Sequence, residues 1–324
     1  MDSPSRCLNT FAEGLNPLDM TPLDEFSSLL QSAKELGISH GEGIQYRSRN
    51  TVVRQQRFHF LEWGQPGRPP VIVLHGGNQS AHSWDLVSLH LAERYHVFAL
   101  DQRGHGDSEW SRAADYSIGA MAQDLEAFIE GEGIESPVIL GHSMGGMVTL
   151  AFAVRRPSAA RALGIVDVGP ELNAAGTQII GEFVHHNVEF DDMEEFLDRV
   201  EQYDPYRTRA HMERTLKYNL LRRADDRFVS KTDRRRFAPP GDGTPGRLHG
   251  VPNLEGLRAI DVPTLIFRGA ASEVLLPDAA EAFAAVLPNG RLSTIADCGH
   301  NVHSQNTLGF LAELDPFVAS VTSG

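Results

Sequence analysis

Cysteine is almost missing from this chain of 324 residues: Cys7 and Cys298 are the two. Two thiols cannot build a disulfide framework, and no C-x-x-C pair exists to hold a metal, so no metal is expected. Basic residues are also scarce, 29 against 43 acidic ones, giving a formal net charge of −14. Such a surface repels phosphate backbones and anionic headgroups, so neither nucleic acid nor membrane is an expected partner. No stretch approaches the roughly 18 apolar residues of a membrane span. The first residues, Met1-Asp2-Ser3-Pro4-Ser5-Arg6, lack the basic-then-apolar pattern of a secretory signal. The expectation is a soluble, cytoplasmic protein. What the chain does have is 41% hydrophobic residues. That is enough for a sizeable core, in one large α/β domain with an insertion or in two domains.

Residues 1–50 stand apart as an N-terminal extension. Thr21-Pro22-Leu23-Asp24 reads as a capping box with proline at the first helical position. Leu23, Phe26, Leu30 and Ala33 then mark one helical face that Gly37 closes. The segment reads as a lid, a dimer arm or simple packing, with packing favoured; a homodimer stays open as an assembly. From about residue 51, continuous apolar runs such as Val71-Ile72-Val73-Leu74 and Val97-Phe98-Ala99-Leu100 alternate with helical patterns. Runs of that kind imply a mostly parallel sheet covered by helices on both faces. Between 170 and 250 the pattern changes to acidic and then basic helix-like stretches, broken at Pro239-Pro240-Gly241-Asp242-Gly243. This reads as an inserted, mostly helical cap, with core on either side at 51–169 and 251–324. The basic tract from Arg222 to Arg236 reads as a solvated face.

The strand Val138-Ile139-Leu140 runs into Gly141-His142-Ser143-Met144-Gly145-Gly146, and an apolar helix begins at once. G-x-S-x-G in strand–turn–helix context holds a serine hydroxyl on a tight tip, open to substrate. Serine is a poor nucleophile near neutral pH and needs a base, which in turn needs an orienting acid. In an open parallel sheet these groups gather at the carboxyl ends of strands. One such end is followed by Asp297-Cys298-Gly299-His300, where His300 is the candidate base. His142 reads as a packing residue, and His303 adds only an unsupported H-x-x-H. For the acid, Glu273 in Arg268-Gly269-Ala270-Ala271-Ser272-Glu273 is favoured, with Asp167, Asp278 and Asp297 as rivals. After another strand, His75-Gly76-Gly77-Asn78 brings the N–H of Gly77 toward that of Met144 as a two-donor oxyanion hole, with Asn78 as a further donor. Asp101-Gln102-Arg103-Gly104-His105-Gly106-Asp107-Ser108 is rich in titratable groups but reads as a loop tied down by Asp101 and Arg103.

With H-G-G-N at 75–78, D-Q-R-G-H-G-D-S at 101–108, G-H-S-M-G-G at 141–146 and D-C-G-H at 297–300, the chain resembles the α/β-hydrolase superfamily of the lid-bearing type. The match runs from about residue 55 to the C-terminus; the first 50 residues fall outside it and the cap matches in position only. The resemblance implies the α/β-hydrolase fold and a Ser–acid–His hydrolase without metal or organic cofactor. One departure matters: relatives most often carry aspartate where Glu273 stands, which keeps Asp167 in play as the acid.

The expected activity is hydrolysis of a carboxylic ester or lactone of a small organic substrate through an acyl-enzyme. A serine at 143 departs from the epoxide-hydrolase and haloalkane-dehalogenase relatives, which use aspartate there. The nearest rival is a carbon–carbon bond hydrolase of ring-cleavage diketones, whose substrate carboxylate a cap arginine such as Arg222 or Arg223 would bind. Further readings are a cofactor-independent oxygenase or perhydrolase and a non-catalytic ligand receptor. Phe183, His185, Tyr203, Tyr206, Tyr218 and Phe228 are the candidate substrate-binding walls of the cap, although aromatics at helical spacing also build a cap's own core.

Overall fold

A computed structural model of the chain describes residues 22–237 and 245–323. Cys7, Thr21 and the Pro239–Gly243 break lie outside the described residues, as does the side chain of His185. Helix α1 (Pro22–Glu35) leads to a hairpin of β1 (Tyr46–Val53) and β2 (Gln56–Trp63). Strands and helices then alternate: β3 (Pro70–Leu74), α2 (Asp85–Leu91), β4 (His96–Leu100), α3 (Ile118–Gly131), β5 (Val138–His142), α4 (Met144–Arg155) and β6 (Ala162–Val166). The insertion holds α5 (Ala174–His186), β7 (Glu189–Phe190), α6 (Met193–Tyr203), α7 (Arg209–Leu216), β8 (Leu220–Arg222) and β9 (Phe228–Ser230). The chain closes with β10 (Thr264–Gly269), α8 (Pro277–Val286), β11 (Gly290–Ile295), α9 (Val302–Gln305) and α10 (Thr307–Thr322).

The large sheet has eight strands in the order β1-β2-β4-β3-β5-β6-β10-β11. Its first two pairings, β1 with β2 and β2 with β4, are antiparallel, and the rest are parallel. The strand β1 already starts inside the segment read as an extension, so the sheet begins at Tyr46. Alternate strand residues feed two cores. Ile72, Leu74, Phe98, Leu100 and Ile139 meet α3, α4 and α8 on one face. Val71, Val73, Val97, Val138 and Leu140 meet α1, α2 and α10 on the other. Each such side chain buried from water contributes about 1.5–3 kcal/mol, which is why these strands read as unbroken apolar runs. Phe26 of α1 packs within 6.4 Å of Trp63, so the leading helix belongs to the second core.

The cap differs from the mostly helical expectation. Strands β7, β9 and β8 form a separate three-stranded antiparallel sheet, in that order. Phe190, Phe196, Leu197, Met212 and Phe228 close a small core of their own beneath it. Tyr218 ties the cap down: its ring stacks on His82 at 3.4 Å and its hydroxyl donates to Glu25 at 3.0 Å. Among the described residues no helix is long and apolar enough to cross a membrane.

Parallel register sets the site. Leu74 pairs with Gly141, and Val166 pairs with both His142 and Phe267. The carboxyl ends of β3, β5, β6 and β10 therefore lie level, and the loops after them share one edge of the sheet.

Candidate active site

Ser143 sits on the turn between β5 and α4 at φ 49° and ψ −115°, a conformation side-chain-bearing residues rarely adopt. Two neighbours make that turn sterically feasible. A Cβ on Gly141 would fall 2.4 Å from the Gly145 carbonyl oxygen, and one on Gly145 would fall 2.5 Å from that of Leu74. No side chain heavier than hydrogen fits at either place.

The loop after β11 carries His300 to this tip. The Ser143 hydroxyl donates to Nε2 of His300 at 3.0 Å. The opposite ring nitrogen, Nδ1, donates to Oδ2 of Asp167 at 2.8 Å. Asp167 lies at the end of β6, fully buried, with its φ at 50°. Its other oxygen accepts the Gly269 N–H at 3.0 Å, and the Ser272 hydroxyl donates to Oδ2. His142 is a packing residue, as expected. Its Nε2–H donates to the His300 carbonyl at 2.9 Å and so pins the loop that carries the base. Burial holds His142 well below the usual histidine range, and the neighbouring rings of His300 and His303 add to that, so it stays neutral.

Glu273 does not meet His300. Its side chain is exposed, and its carbonyl accepts the Asn173 amide at 2.8 Å. The loop after β10 therefore supplies no acid. Through Gly269 and Ser272 it supplies donors that hold the acid at the end of β6. Asp278 in the first turn of α8 and Asp297 are exposed as well. Replacing Ser272 by alanine removes one hydrogen bond to a charged carboxylate, about 1.5 kcal/mol or roughly tenfold. We expect that loss in kcat with KM unchanged and with most of it restored by Ser272→Thr; a loss confined to KM would remove Ser272 from this role.

Gly77 and Met144 both line the cavity beside Ser143. Among the described residues neither N–H has a hydrogen-bond partner, and Met144 opens α4, where the helix dipole favours negative charge. Asn78, at φ 61°, also borders the cavity, with its amide oxygen 3.3 Å from a guanidinium nitrogen of Arg236.

The cavity, about 900 Å³, runs from Ser143 and His300 up between core and cap. Its walls are mainly apolar, including Met147, Val168, Ile180 and Phe183. Phe183 and Tyr203 stack at 4.6 Å and both face it. Tyr206 does not: it is 40% exposed and packs on the outside, near Gly299. Phe228 belongs to the cap core, and Tyr218 to the cap–core seam.

His303 stacks on Trp84 at 4.0 Å and belongs to no group of metal-ligating side chains among the described residues. The D-Q-R-G-H-G-D-S loop is tied down as its sequence suggests. Asp101 receives Nδ1–H of His59 at 2.7 Å and the N–H groups of Ala81 and Asp107 at 2.6 and 2.9 Å. Arg103 pairs with buried Asp124.

Comparison with known proteins bears on the fold. A family model described as the alpha/beta hydrolase fold matches residues 69–307. The chain belongs to that family. This α/β hydrolase is 27% identical to the esterase Rv0045c of Mycobacterium tuberculosis over 293 residues, 88% of this chain and 93% of that one. It is 26% identical to the mouse sn-1-specific diacylglycerol lipase ABHD11 over 266 residues, 79% and 83% of the two chains. Among solved structures, an alpha/beta hydrolase from Novosphingobium aromaticivorans superposes with a TM-score of 0.70 at 27% identity, covering 83% of this chain and 98% of that one. Two site residues of this α/β hydrolase escaped the sequence. Ser272 lies one position before the residue favoured as the acid, and Arg236 lies inside a tract read as solvated.

Proposed function

We propose that this chain is a serine hydrolase that cleaves a carboxylic ester or lactone of a small organic substrate through an acyl-enzyme. The observation that carries the reading is the unbroken line of hydrogen bonds from Ser143 through His300 to Asp167, at the floor of a cavity of about 900 Å³.

In this reading Ser143 Oγ attacks the ester carbonyl while its proton passes to Nε2 of His300. The imidazolium is held by Asp167, whose remaining lone pairs are occupied by Gly269 and Ser272. The carbonyl oxygen, now negative, takes the N–H groups of Gly77 and Met144. One donor of this kind is typically worth about 3 kcal/mol of transition-state stabilisation. Collapse expels the alcohol with the proton from His300. Water, deprotonated by the same histidine, then releases the acid. These steps need no metal or organic cofactor. For a lactone the alcohol stays attached and the ring simply opens. The partner in this reading is a small-molecule substrate met in the cytoplasm, with no nucleic acid or membrane involved, and a net charge of −14 supports that.

Neither Arg222 nor Arg223 is placed to anchor the carboxylate of a carbon–carbon bond substrate. Arg222 is tied to Asp226, and Arg223 to Glu189 and Asp225, all on the exposed outer sheet of the cap. A fluorophosphonate probe with peptide mapping tests the proposal directly. Labelling is expected on Ser143 alone, followed by turnover of p-nitrophenyl esters or lactones. Cleavage of a coloured dienone diketone with no ester or lactone turnover would reverse the choice, and oxygen uptake without added cofactor would favour the oxygenase.

A further inference from the structure

Among the described residues, the buried arginines are almost all answered by carboxylates or carbonyls. Arg103 meets Asp124, Arg207 meets Asp204 and Arg214 meets Asp85. Arg268 donates to the carbonyls of Ala270, Ser272 and Leu275. Arg236 is different. It is 7% exposed, lines the cavity that holds Ser143, and among the described residues has no carboxylate within ion-pair distance. Its Nη1 donates to Nε2 of His105 at 2.7 Å and lies 3.3 Å from the Asn78 amide oxygen. Its Nη2 reaches the Met144 sulfur at 3.1 Å, and its Nε is buried with no partner among the described residues.

These weak partners fix the guanidinium in place without neutralising it. His105 is locked as a neutral acceptor: Nδ1–H donates to the Arg103 carbonyl at 2.9 Å, and burial together with the charge of Arg236 holds its pKa well below the usual range. Arg236 itself is pushed down to about 9, first by burial and then by Arg247. Both guanidiniums lie on the Phe237 ring, at 5.0 and 5.7 Å, and Arg247 stands at the cavity wall. A cation removed from water without a counter-charge is strongly unfavourable, and an anionic ligand reverses that cost. The same guanidinium stands 3.3 Å from where a Cβ on Gly77 would lie, beside the expected oxyanion site.

We propose that the substrate carries a carboxylate a few carbons from its ester group, and that Arg236, supported by Arg247, receives it while the apolar cap walls take the rest. This rests on the reading of Ser143 and His300 as an acyl-transfer pair. A planar fork of donors matches a carboxylate in two-point contact, which a lysine cannot reproduce. The ligand class is therefore the half-ester of a dicarboxylic acid rather than a simple fatty ester.

The test compares two six-carbon esters on the full chain, mono-p-nitrophenyl adipate and neutral p-nitrophenyl hexanoate. Wild type is expected to favour the charged ester in kcat/KM by at least about tenfold. Arg236→Gln should lower that ratio at least about 30-fold, chiefly through KM of the charged ester, with Arg236→Lys between the two. An unchanged ratio overturns the proposal, and so does equal collapse of both substrates. Because a buried substitution can unfold the chain, binding is also read with Arg236 intact. Calorimetric titration of Ser143→Ala with adipate should give a salt-sensitive Kd, and no heat up to about 10 mM overturns the proposal. Failure of the hydrolase reading looks different: Ser143→Ala would then keep hydrolysing both esters.

Discussion

Ser143→Ala is expected to remove turnover, by a factor on the order of 10⁴ to 10⁶ in kcat, while the protein stays folded. Among the described residues the side chain makes a single hydrogen bond, to His300, and no capping bond to its own helix. Its removal therefore costs little stability, and the melting temperature should stay within about 3 °C. The strained turn survives, because its close approaches depend on Gly141 and Gly145 rather than on the hydroxyl. Progress curves on an ester substrate, with circular dichroism as the control, check both halves. A variant that keeps a tenth of the wild-type rate would show that another group carries the chemistry.

The core fold was legible because its signals are redundant. Strands such as Pro70–Leu74 are buried on both faces, so each residue is apolar and the run cannot be mistaken for an amphipathic helix. The cap gave less away. Its strands are two or three residues long, too short for any alternation to register, and their stability comes from Phe190 and Phe228 meeting α6 across the chain. Side-chain direction within a basic run is equally silent. Arg234, Arg235 and Arg236 look alike in sequence, yet the 3₁₀ turn they form exposes the first two and buries the third. The pattern seen along the chain is charge; the pattern that matters is which one of three points inward.

The candidate nucleophile and base were readable for the opposite reason. A tight turn between a buried strand and a buried helix needs small residues on either side of its tip, so the backbone requirement itself marks Ser143. The histidine follows from strand order, since the loop after the last strand is adjacent to the same edge. The acid has no such marker. Two loops, after β6 and after β10, end level with one another, and each offers a carboxylate. What separates them is the backbone at Asp167, turned to positive φ so that its side chain folds under His300, and the one-residue offset that aims Ser272 inward and Glu273 out. Neither feature has a signature in residue type.

That difference gives the second large effect, and it reverses the ranking favoured by the sequence. Asp167→Asn should lower kcat on the order of 10⁴-fold, about 5 kcal/mol of transition-state stabilisation. The substitution is nearly isosteric, so the pocket persists; what changes is the proton. An amide turned to donate toward His300 no longer accepts Nδ1–H, the ring adopts the other tautomer, and Nε2 can no longer take the Ser143 proton. The imidazolium that forms during attack also loses the carboxylate bonded to it. Glu273→Gln, by contrast, alters an exposed side chain whose structural contact is made by its backbone carbonyl, so kcat should stay within about twofold. Measured side by side on one ester, the two variants should differ by more than a thousandfold, on the order given by the loss of the orienting acid. If Glu273→Gln is the slower enzyme, the loop after β10 must swing its carboxylate onto His300 during turnover, and Asp167 would then serve only to hold the resting ring.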